Sequence, residues 1–434
     1  MIATSKEIAA SAQLALAKAR IRLLPFLCLL YLANYLDRIN VSFAALQMNH
    51  ELGFTPVVFG LGAGFFFVGY VLCEIPSNLI LERVGARRWI ARIMISWGLI
   101  SASMMYTRGA KSFYALRFVL GAAEAGFFPG IILYLTNWFP QQERARATAL
   151  FLTANALANV LVGPICGAIL GMHGMLGLSG WQWLFLLEGI PSVILGFAVL
   201  YYLPNFPAEA AWLSAPERDS LATLLRSEHA RNLPYARFHL SQALSSARVW
   251  TLSASYTLMV FTLYGVSFWL PRIIEEFGAF TTLEIGFLAA LPYACGGLAL
   301  VLVGISSDRK RERRWHLAVP SFAGALGLAL AARARTPAGS LLAFSLGAAG
   351  VWGMIAPFWS IPPEFLRGTA AAAGIALINS VGHVGGFAGP ALMGYLKQGT
   401  HSFEGGLDIL ATALAAAGLI VLLFYSAENN SLPI

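Results

Sequence analysis

Charge is scarce in this chain. Of 434 residues only 12% are Asp, Glu, Lys or Arg, about half the ~25% of an average soluble domain. A water-soluble protein of this length could not clothe its surface with so few. The 58% hydrophobic content equally excludes a disordered chain. Cysteine is scarce too. Cys28, Cys73, Cys166 and Cys295 lie in apolar stretches, with no Cys-x-x-Cys and no Cys/His pair at metal spacing. They read as small buried hydrophobes, and no metal site or cofactor is expected. A Gly-x-x-x-x-Gly-Lys-Ser/Thr loop is absent, so nothing supports ATP-driven pumping. The histidines are scattered, and no nucleophile stands with a base, so an enzyme is not expected. The N-terminus is polar to Arg22 and lacks a short apolar core with a small-residue cleavage site, so no signal peptide is expected.

What is abundant is apolar sequence in long runs. A spanning helix needs ~20 mostly apolar residues. Twelve runs qualify: 24–46, 58–81, 89–107, 112–138, 146–172, 182–203, 248–274, 283–306, 315–333, 338–361, 369–396 and 404–426. The one long polar stretch, 204–247, separates six from six, and its 217–231 portion has the pattern of an amphipathic surface helix. The expected organisation is therefore an N-terminal half (1–203), a linker (204–247) and a C-terminal half (248–434).

The net charge of +8 does not indicate nucleic acid, because the basic residues sit in short loops. If both termini are cytoplasmic, the inner segments hold 20 of the Lys and Arg residues and the outer loops 5. Only Arg38, Arg92, Arg117 and Arg272 remain within spans. That bias predicts cytoplasmic termini.

The halves also echo each other at an offset of 226 residues. Glu82-Arg83 matches Asp308-Arg309, Arg87-Arg88-Trp89 matches Arg313-Arg314-Trp315, and Gly163-Pro164 matches Gly389-Pro390. Duplicated halves around a midplane site are a transporter architecture.

These residues resemble the major facilitator superfamily, whose signature after span 2 is Gly-x-x-x-Asp-Arg-x-Gly-Arg-Arg/Lys. Here Glu82-Arg83-Val84-Gly85-Ala86-Arg87-Arg88 departs by Glu for Asp and by one extra residue. The second copy keeps Gly304 and Asp308-Arg309. Carboxylates and arginines at helix ends can latch one conformation and release it in another, which makes Glu82, Arg83, Arg87, Asp308 and Arg309 gating candidates. The stretch from Tyr31 to Val41, together with Glu74-Ile75-Pro76-Ser77-Asn78, Arg117-Phe118-Val119-Leu120-Gly121, Glu188-Gly189-Ile190-Pro191 and Phe358-Trp359, is similar to the anion:cation symporter family of bacterial organic-anion permeases. That resemblance implies an all-α membrane protein with twelve spans in two pseudo-symmetric halves. It also implies a carrier of tartrate-like, sugar or aromatic acids. One departure is His383, where relatives often carry Asn.

Charges within spans are costly, at least ~2.5–3.5 kcal/mol each at the bilayer centre, and so mark function. Arginine stays protonated and matches a carboxylate with a planar fork. Arg38 and Arg117 are therefore the candidates for clamping an anion. Asp37 and Glu124 are the candidates for carrying coupling protons as the arginines change partner. Tyr35, Tyr70, Asn155, Trp359 and Asn379 are second-tier substrate contacts, chiefly on the resemblance. Asn159, Tyr264 and His383 are softer still, and Glu74 and Glu188, beside Pro76 and Pro191, read as structural or gating. The overall expectation is a bacterial inner-membrane carrier, monomeric, that takes up a small organic anion with protons. A proton-coupled exporter of the same fold is the alternative.

Overall fold

The computed structural model of the chain describes residues 5–232, 245–365 and 368–424. The structure is helical. α1 (Ser5–Glu51), α2 (Pro56–Val84), α3 (Ala86–Ser103), the broken pair α4 (Ala110–Glu124) and α5 (Phe127–Trp138), α6 (Gln141–Leu170) and α7 (Gly180–Tyr202) precede the polar stretch. α8 (Ala215–Asn232) lies within it. There follow α9 (Ala247–Ser267) with the short α10 (Leu270–Glu275), α11 (Thr282–Lys310), α12 (Arg314–Ala331), α13 (Pro337–Gly353) with α14 (Ile355–Ser360) and α15 (Pro362–Phe365), α16 (Gly368–Thr400) and α17 (Glu404–Phe424). Counting each broken span once and leaving out α8, the described residues supply twelve spans, as the apolar runs predict. By length and composition alone, eight of these helical segments are apolar enough to cross a membrane. α1, α3 and α12 fall short because polar ends or charges dilute their apolar content, and in α6 the described apolar stretch, Leu157–Leu170, is shorter than a span.

Local chemistry sets the helix starts. Thr55 caps α2 by accepting from the Val58 N–H at 3.3 Å, and Pro56 opens the helix where its missing N–H costs nothing. Thr281 and Glu284 form a reciprocal capping box at α11. α8 covers the 217–231 surface helix expected from sequence, while residues 233–244 of the linker lie outside the described residues. α1 runs far longer than the 24–46 run. Its polar first turns are held by Lys18, which donates to Glu217 on α8 at 2.7 Å, and by Arg20, which donates to Glu143 at 2.8 Å. The Lys18 ammonium and the Ser214 N–H hold the Glu217 carboxyl below its ordinary 4.5.

Two seams join the halves, α2 on α16 and α6 on α11. At the end of the bundle opposite the termini both are backbone contacts. A Cβ added to Gly163 would stand 2.2 Å from the Gly286 carbonyl oxygen. On the other seam a Cβ added to Gly60 would stand 2.4 Å from the Pro390 carbonyl oxygen. Gly60 and Gly286, and likewise Pro164 and Pro390, are separated by the same offset of 226. The duplicated motif thus builds the same seal twice, from backbones that only glycine lets approach this closely. Trp269 Nε1 donates to the Pro390 carbonyl at 3.1 Å, and Thr282 Oγ1 to the Gly167 carbonyl at 3.1 Å. Nearer the terminal end, the halves are tied by Asn379 and Ser380 donating to Glu74 at 2.7 and 3.0 Å. Beyond those bonds no salt bridge joins the halves among the described residues.

Candidate functional site: a central ion pair between the halves

Arg38 sits in the second half of α1, where the halves face each other. Its guanidinium pairs with Glu124 of α4 through both Nε and Nη2, and Nη1 reaches Tyr264 Oη of the other half at 3.3 Å. Phe66 and Tyr70 lie under the guanidinium at 5.3 and 5.4 Å from their ring centres, a favourable cation–π placement. Tyr264 is the offset-226 counterpart of Arg38, so the pseudo-twofold sets a neutral phenol opposite a cation.

Glu124 is where the sequence predicts a special carboxylate, and the backbone shows how it is placed. α4 ends at Glu124, and Gly126 adopts φ 89° before α5 resumes. A side chain there would be strained and would press to 2.3 Å from Ser77 Oγ. The break leaves Glu124 at the negative end of a helix dipole. Arg38 offsets that placement. Glu124 is 1% exposed and Arg38 14%, so the arginine is the partner that a solute can reach.

The two arginines of the expected clamp share the Phe66 ring, at 5.3 and 4.9 Å, but differ in access. Arg117 is fully enclosed, at 0% exposure. It donates to the Gly62 and Ala63 carbonyls at 3.3 Å each and lies 4.9 Å from the Phe66 ring. Its Nη1 has no partner among the described residues. Arg117 also lies 5.8 Å from the Phe268 ring of the other half, so both arginines border the centre, and of the two only Arg38 is partly exposed in this conformation.

Asp37 also departs from the expected picture. It neighbours Arg38 in sequence yet points away, into the N-terminal half. There it accepts from Trp97 Nε1 at 2.9 Å, Ser101 Oγ at 2.7 Å and Ser192 Oγ at 2.7 Å. Sequence reading missed these three partners. Adjacent helical residues are about 100° apart, so with Arg38 turned to the centre its neighbour leans toward the helices of its own half.

Among the second-tier residues, Tyr35 donates to Asn159 Oδ1 at 2.5 Å, Tyr70 packs on His383 at 5.0 Å, and Trp359 packs edge-on to Tyr256 at 4.9 Å. Asn379 is held by Glu74. The Asn155 side chain lies outside the described residues. His383 is 7% exposed, stacks on Phe67 at 5.6 Å, and its Nδ1 has no partner among the described residues. The gating candidates do not form one latch here. Asp308 pairs with Arg313 at 2.6 Å. Glu82, Arg83 and Arg309 are exposed with no ion pair among the described residues, and the Arg87 N–H donates to Asn205 at 3.0 Å.

Comparison with known proteins agrees with this architecture. A protein named "Putative tartrate transporter" from Agrobacterium vitis is 49% identical over 407 residues, covering 94% of this chain and 94% of the relative. A quinolone resistance transporter from Acinetobacter baumannii is 39% identical, with 93% of each chain covered. The xylose transporter XylE from E. coli in its inward-open conformation superposes with a TM-score of 0.74 at 14% identity, covering 94% of this chain and 96% of that one. The sequence description of the Major Facilitator Superfamily matches residues 27–390, and with its twelve spans and doubled seams the chain belongs to that superfamily of transporters.

Proposed function

We propose that this transporter takes up a small organic anion, a mono- or dicarboxylate, by proton symport across the bacterial inner membrane, with both termini cytoplasmic. One observation carries the reading. The reachable central cation, Arg38, is held by a buried carboxylate that bonds to no other cation among the described residues. A substrate carboxylate that engages the Arg38 fork competes with Glu124 for it. Glu124, left in a dry site at a helix C-terminus, then takes up a proton. Loading the anion and loading the proton thus become one event. Tyr264, Tyr70 and Asn379 offer polar tips around the same point, and the tartrate name of a relative fits a carboxylate cargo. The backbone seals close the end opposite the termini, so with cytoplasmic termini this is a state closed to the outside. The resistance name of another relative keeps export as the second reading.

Purified protein in vesicles tests both. A thermal-shift screen of carboxylic acids, beginning with tartrate, selects the cargo. Glu124→Gln fixes the neutral form. It is expected to lose at least tenfold of the uptake driven by an inward proton gradient while retaining counterflow of labelled against unlabelled anion. Full concentrative uptake by this variant overturns Glu124 as the proton site. Accumulation that follows only an outward-directed cycle favours export.

A further inference from the structure

A second carboxylate cluster lies behind Arg38 and is untouched by the central ion pair. Glu188 of α7 is 6% exposed. Its Oε1 accepts from the Cys166 thiol of α6 at 3.3 Å, and its Oε2 has no partner among the described residues. One turn further along α7, Ser192 donates to Asp37, itself 1% exposed, so the two acids occupy one pocket between α1, α3, α6 and α7. Asn40 follows Asp37 by one turn of α1, and its buried Nδ2 has no hydrogen-bond partner among the described residues.

The partners of the two acids are unequal. Asp37 receives three neutral donors, an arrangement that suits an ionised carboxylate. Glu188 receives the weak Cys166 thiol donor, and its buried Oε2 has no partner among the described residues. No Lys, Arg or His bonds to either acid among the described residues. The titratable groups facing the pair are Cys166 from α6 and, beyond Asp37, Glu124 of α4, which is committed to Arg38; α3 contributes Trp97 and Ser101. Two negative charges in such a pocket would be uncompensated, and buried unpaired charge is the costliest arrangement a core can hold.

We infer that Glu188 and Asp37 form a proton-holding carboxylate pair behind Arg38, with one negative charge on Asp37 and one proton on Glu188. The pair deepens the proton-coupled reading and rests on it for any part in transport, while its protonation can be tested without transport. The probe is infrared spectroscopy of the full-length protein in lipid, free of added substrate, because a protonated carboxyl absorbs apart from a carboxylate. At neutral pH the wild type is expected to show a slowly deuterating carboxylic acid band that Glu188→Gln removes. Glu188→Asp keeps a shortened acid and shifts the band, which guards against misfolding of the first variant. Cys166→Ala removes the thiol donor to Glu188 and is also expected to shift it. Asp37→Asn is expected to move the pH at which the band disappears by about one unit or more, since the two groups titrate together. A wild type without the band, or a band unchanged in Glu188→Gln, overturns the assignment. Unchanged titration in Asp37→Asn overturns the pairing. Should proton-driven uptake fail while the band behaves as described, the symport reading falls and the pair stands.

Discussion

At the scale of single residues, the centre divides labour between two arginines that look equivalent in sequence. Arg38 has donors toward both halves, whereas Arg117 spends its two resolved bonds on backbone carbonyls at the sealed end. Loss of one charge-assisted hydrogen-bonding group costs ~1.5–3 kcal/mol. Arg38→Gln is therefore expected to weaken substrate binding on the order of 10- to 100-fold, read by thermal shift of purified protein. Arg117→Gln is expected to leave binding to this conformation within about threefold and to lose counterflow, because its guanidinium becomes reachable only when the opposite end opens. Equal loss of binding in both variants would restore the two-arginine clamp. The residue types at the centre were legible from cost alone, since charge in a span needs a reason. Which arginine partners Glu124 was not legible. That depends on how α1 is rotated against α4, and a single sequence carries no such angle.

At the scale of elements, the helices and their order follow from apolar run length, and the duplicated Gly-Pro pairs identified the halves before any coordinates. What the runs could not give is where a span breaks. The α4–α5 interruption rests on one left-handed glycine, and Gly126 sits among other glycines that have no such role. The seam between α6 and α11 offers a direct test. Gly163→Leu places a side chain where a Cβ alone would already stand 2.2 Å from a carbonyl oxygen, and no rotamer of a neighbouring side chain can relieve a backbone clash. The variant is expected to insert and fold, yet to favour the state open at the end opposite the termini. Cysteines placed along the Gly60–Gly64 stretch should then react several-fold faster with a thiol reagent applied from that side. An unchanged labelling rate would mean that the seam yields locally without opening.

At the scale of the whole molecule, orientation in the membrane is the claim that rests most purely on counting charges. Cysteine introduced within 309–314 is expected to react with an impermeant thiol reagent only after the membrane is opened, and cysteine within 278–281 from outside. The reverse pattern would invert both the topology and the direction assigned to the observed state. The molecule also has a mechanical property that follows from α1. Arg38 and Asp37 are consecutive residues on one rigid rod, about 100° apart around its axis, one facing the gap between the halves and the other gripped by Trp97, Ser101 and Ser192. Any twist of the rod that swings the arginine toward an arriving anion turns the aspartate through the same angle, out of that grip. In such a twist the helix acts as a crankshaft, carrying movement at the central space to the rear pocket as torque.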